Sequence, residues 1–202
     1  MNTKHYTHEF FMNLLGYYKP LPVRCAMFVV VTFLIALVVG YKFAPELSAE
    51  DSLIKLDLLN FRDKPFEQVH VPLSDQHQQF FKLAMHNTMT IALVLYLGTV
   101  VFFFPLFKDA VLGCLGGVAL WNLGSPWLWG RFLFPHALVE LPVIFYASAV
   151  SMSSGLKWLA GRPEGRWGIL KRELVANLKL FLLLIPLIIF AALLEAYVTN
   201  RW

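Results

Sequence analysis

Apolar residues gather into five long runs, over residues 22–41, 79–104, 110–123, 134–157 and 178–198, with charge, glycine and proline returning between them. A bilayer core about 30 Å thick is crossed by about 20 residues of helix. Lipid offers no partners to backbone amides, so such runs close their hydrogen bonds internally as helices. The pattern predicts an all-α, polytopic membrane protein with five transmembrane helices in a single membrane domain spanning residues 1–202. Ahead of the first run, Phe10, Phe11, Leu14, Leu15 and Tyr18 recur at helical period among His5, His8, Glu9, Asn13 and Lys19. That spacing predicts an amphipathic interfacial helix over residues 1–20. The run at 22–41 begins late and lacks a small-x-small cleavage pattern, so it reads as an uncleaved anchor.

The intervening stretches differ in sign. Residues 42–78 hold Glu46, Glu50, Asp51, Asp57, Asp63, Glu67 and Asp75 against Lys42, Lys55, Arg62 and Lys64, with an amphipathic piece around Leu53–Phe61 and a Ser74-Asp75 cap for the next helix. Residues 158–177, with the flanking Lys157 and Lys179, carry Arg162, Arg166, Lys171 and Arg172 against Glu164 and Glu173. Pro105 and Lys108-Asp109 predict a tight turn between the second and third helices, and Trp121, Trp127 and Trp129 mark an interfacial aromatic belt. Gly113-x-x-x-Gly117 lets helices approach closely and leaves a homo-oligomer open.

Composition removes the soluble classes. The chain is 58 % hydrophobic and 15 % charged, with a mean hydropathy of +0.60, far from a soluble domain. Its net charge of +4 comes from 17 basic and 13 acidic residues. The basic residues sit beside apolar runs as topology signals, so no nucleic-acid partner is implied. Cys25 and Cys114 lie within apolar runs without metal-ligand spacing and read as small packing residues.

By the positive-inside rule the N-terminus and the basic loop over 158–177 are cytoplasmic, the acidic loop over 42–78 is extracytoplasmic, and the C-terminus is outside. The fourth helix then enters from outside carrying His136 and Glu140, which share a face four residues apart. Glu195 closes the fifth helix and His86-Asn87 opens the second, so all five polar residues reach one layer of the outer leaflet, with no other layer similarly stocked. Ionisable groups inside a membrane need partners. Two readings follow: a divalent metal such as zinc held by His136, Glu140 and Glu195, or a hydrogen-bonded lock among these residues, Asn87 and backbone freed by Pro135, Pro142 and Pro186. His86, beside Lys82, also reads as a solvated helix end. The H-E-x-x-H of a zincin is absent, and Ser148, Ser151, Ser153 and Ser154 have no base in reach and read as helix-packing residues.

The segments Pro135-His136-x-x-x-Glu140-Leu141-Pro142 and Pro186 through Glu195 to Thr199 resemble the stage II sporulation protein M (SpoIIM) family, and His86-Asn87 followed by Gly98 is a weaker likeness. The resemblance covers about residues 80 to 200. It departs at Ala137, where the family usually has glycine, and at Asn200, where it often has proline. The resemblance implies five or so spans in a bacterial cytoplasmic (inner) membrane and no established catalytic activity. Relatives work beside peptidoglycan-degrading proteins, transporters or bacteriocin-maturation genes. The expected role is therefore a non-enzymatic scaffold or assembly partner, in contact with the lipid bilayer and other membrane proteins. A transporter component with helices broken at Pro135, Pro142 and Pro186, and a metal-dependent intramembrane hydrolase, are the alternatives.

Overall fold

A computed structural model of the chain describes residues 21–47, 73–124, 136–160 and 165–198. Among these residues the fold is all-helical: α1 Leu21–Leu47, α2 Leu73–Val100, α3 Phe104–Leu123, α4 His136–Ala160 and α5 Arg166–Tyr197. All five are long and apolar enough to cross a membrane. The interfacial helix expected over residues 1–20 and most of the loop expected over 42–78 lie outside the described residues.

Element boundaries move for identifiable reasons. The break between α2 and α3 falls at residues 101–103, earlier than the expected turn. Pro105 occupies the first turn of α3, where its missing N–H costs nothing and its fixed φ suits a helix start. Lys108 and Asp109 are therefore helical and inside a span, not in a turn. α5 begins at Arg166, not 178, so most of the expected basic loop is helix. Its polar side chains are segregated: Lys171 and Arg172 are exposed while Glu173 and Asn177 are fully buried. α4 and α5 run unbroken through Pro142 and Pro186, so two of the three expected breaks are absent, while Pro135 lies outside the described residues.

Close approach decides the packing. α1 packs chiefly on α3, and α2, α4 and α5 pack on one another, with α4 also touching α1. A Cβ at Gly113 would strike the Phe33 carbonyl, one at Gly117 the Leu37 carbonyl, and one at Gly40 the Cys114 carbonyl. The Gly113/Gly117 seam is thus filled by α1 of the same chain, and these contacts run α1 and α3 in the same direction. A second seam joins α2 to α4, where a Cβ at Gly155 would lie 2.8 Å from Phe102 Cβ and one at Gly98 would lie 2.6 Å from Ser151 Oγ. In lipid, where apolar surface gains nothing by burial against another helix, such van der Waals fit is what holds helices together. Between the seams, Ile91, Leu95, Val143, Val150, Leu180 and Leu184 form the core of the α2–α4–α5 group. Large side chains such as Phe28, Ile35, Leu93, Leu182 and Phe190 are exposed, as expected of faces turned to acyl chains.

Candidate metal centre

α4 and α5 are antiparallel, because Ser154 of α4 bonds Glu173 near the start of α5 while His136 and Glu140 meet Glu195 near its end. One ligating atom from each of His136, Glu140 and Glu195 lies within 4.8 Å of the other two, and all three side chains are half-buried. The i, i+4 pair comes from successive turns of one helix face, and the antiparallel partner supplies the third group. Two ionised carboxylates at that separation repel by roughly 3 kcal/mol at an effective dielectric of 20. A proton on one of the two acids or a bound cation would relieve that repulsion. A zinc ion sits about 2.0–2.2 Å from each ligand, so binding would draw the three groups in by roughly an ångström, well within side-chain rotation.

His86 and Asn87 do not join this trio. With Thr90 they line a cavity of about 390 Å³ bounded by α2, α3, α4 and α5, and Glu140 forms part of its wall. Glu140 thus belongs to both features, and Lys108 and His86 lie within its electrostatic reach. Lys108 also faces this cavity while pairing with Asp109 at 3.3 Å. Sequence reasoning missed Lys108, although its position three residues after an N-terminal-turn proline was the available signal. The remaining wall is apolar and includes Ile91, Phe107, Leu115, Val143 and Ile188.

The expectation of a single polar layer is also corrected. At the opposite end of the bundle the buried Glu173 accepts from Ser154 Oγ at 2.8 Å and pairs with Lys157 Nζ at 3.3 Å. One turn away, Asn177 donates to Thr99 Oγ1 at 2.6 Å and to the Leu95 carbonyl at 3.3 Å. These bonds tie α5 to α4 and α2. Ser154 and Thr99 are thus helix-contact residues with a polar task. The layer escaped notice because the basic residues around Glu173 read as a loop. At the His136 end, the His77 ring bonds the Tyr197 hydroxyl and so pins the start of α2 to the end of α5.

Among the described residues, five helices long and apolar enough to cross a membrane, two of which bring together an imidazole–dicarboxylate trio, define an all-helical protein of the membrane class. The chain belongs to the stage II sporulation protein M family, whose sequence model matches residues 28–200. No curated protein and no solved structure matches it.

Proposed function

We propose that this chain is a metal-binding membrane protein in which His136, Glu140 and Glu195 hold one divalent cation, such as zinc, in the outer leaflet of a bacterial cytoplasmic membrane. The observation that carries the reading is the convergence of three ligating atoms from two helices within 4.8 Å. Structural zinc sites are closed by four protein ligands, whereas catalytic sites use three and keep a position for water or substrate. Three protein ligands beside a cavity that Glu140 helps line match the open type. When bound there, the cation would supply Lewis acidity and an activated water, the chemistry of a metal-dependent intramembrane hydrolase. The chain's own groups orient the ion, and the apolar wall limits access of bulk water.

A second reading, the non-enzymatic scaffold or assembly partner, draws on the opposite layer. There the chain uses buried polar bonds purely to lock helices, and the outer trio could act in the same way, leaving exposed surfaces for other membrane proteins. Elemental analysis of protein purified without chelators separates the two. The metal reading expects about one divalent ion per chain, lost in the His136→Ala, Glu195→Gln double variant. Metal content equal in the wild type and the double variant would overturn it and leave the lock.

A further inference from the structure

The cavity beside the trio has dimensions and chemistry of its own. With a volume of about 390 Å³ between four helices and a largely apolar wall, it has room for part of an extended apolar chain.

The polar part of the wall sets donors against one carboxylate, that of Glu140. Asn87 is only 8 % exposed and its Nδ2 has no hydrogen-bond partner, a costly state for a buried donor. Lys108, three residues beyond the Pro105 that meets Gly98, lines the wall farther from the His136 end and pairs with Asp109. His86 adds a ring nitrogen on the same wall, and Glu140 is the carboxylate that would share the cation. By the α-helical rise, Ile91 on α2 and Ile144 on α4 lie about one turn farther from the His136 end than Asn87 and Glu140, and both line the cavity.

We propose that this cavity binds a phosphate ester of a long apolar chain, its phosphate oxygens taken by Asn87 and the cation at Glu140 and its tail laid against Ile91 and Ile144. Phosphate supplies several acceptor oxygens at once, and charge-assisted bonds to it are roughly twice as strong as neutral ones. The cation in this arrangement rests on the metal reading above, while the cavity and Asn87 do not. A glycerophospholipid and an isoprenyl phosphate share this chemistry.

The test is native mass spectrometry of the full-length, delipidated protein with dodecyl phosphate, dodecanol and inorganic phosphate. Dodecyl phosphate should bind about tenfold more tightly than either of the others, the loss expected when charge-assisted bonds or the tail are removed. Asn87→Leu should weaken dodecyl phosphate about tenfold, and Val111→Trp, which fills the cavity from α3, should do the same in a protein whose helical circular dichroism is unchanged. Binding of dodecanol equal to that of dodecyl phosphate, or binding untouched by both variants, would overturn the proposal. Displacement of dodecyl phosphate by phosphatidylglycerol or by an isoprenyl phosphate supports it and names the source, and displacement by neither counts against it. Retained, Asn87-dependent binding in the metal-free His136→Ala, Glu195→Gln variant would keep the cavity. A wild type found to hold no metal yet to bind dodecyl phosphate would fail the metal reading alone.

Discussion

Glu195 owes its importance to its neighbours: it sits within two turns of the end of α5, half-buried, with a second carboxylate and an imidazole within 4.8 Å. Glu195→Gln removes a charge while nearly conserving shape, so metal-free protein should be no less stable than the wild type, because the repulsion with Glu140 disappears with it. Metal-dependent stabilisation, by contrast, should vanish. If zinc is supplied at a hundred times its dissociation constant, the wild type should gain about 2.7 kcal/mol, read as a rise in melting temperature in detergent that a chelator reverses. An equal rise in Glu195→Gln would show the ion bound elsewhere. His136 and Glu140 were legible in the sequence because a four-residue spacing inside an apolar run leaves few other interpretations. Glu195 was legible only through topology, by counting spans and matching depths. Lys108 was not, because a proline followed by charged residues reads as a turn until the proline is recognised as a helix start. Asn87 was legible as a member of the layer but not as a wall of a cavity, since cavities arise from how helices splay and leave no periodicity.

Helix pairs in this chain are specified by what they lack. Gly113 and Gly117 bring α3 against α1, and Gly98 and Gly155 bring α2 against α4 and the start of α3. Adding a side chain at Gly155 would push on Phe102 Cβ and the Gly98 carbonyl, which belong to a helix end and a tight turn with little room to yield. Gly155→Val should cost about 1–3 kcal/mol, the usual penalty of overpacking, whereas the same change at Gly168, with nothing within 4 Å of its added Cβ, should be far milder. Thermal unfolding of both variants in one detergent checks this, and equal losses would mean that the α2–α4 seam is not tight. The number of helices and the small-residue spacing could be read from the sequence, but not the partner of the Gly113 seam. Spacing shows that something approaches closely and is silent on whether it is another copy or a neighbouring helix. Likewise the first three turns of α5 were hidden because lysine and arginine on the outer face outweighed Glu173 and Asn177 on the inner one in any reading of composition.

At the scale of the whole molecule the bundle has two unlike ends. One carries the His136, Glu140 and Glu195 trio, the other the Glu173 and Asn177 locks together with Lys157, Arg166, Lys171 and Arg172. Lysine and arginine beside spanning helices tend to remain on the cytoplasmic side, and on that ground we propose an orientation in which the trio faces outward and both the end of α1 and the end of α5 lie at the outer surface. A reporter that is active only outside the cytoplasm should therefore be active when fused after Trp202 and inactive when inserted at Gly161, between α4 and α5. A cytoplasm-dependent reporter at the same two sites should give the opposite pattern. The orientation matters to mechanism because any ion reaching the trio, and any phosphate-bearing chain entering beside Asn87, would come from the extracytoplasmic side and the outer leaflet. The reverse reporter pattern would leave the geometry of the centre unchanged but move its supply to the cytoplasm, and activity of one reporter at both sites would mean that the number of crossings between them is even rather than the single crossing proposed for α5.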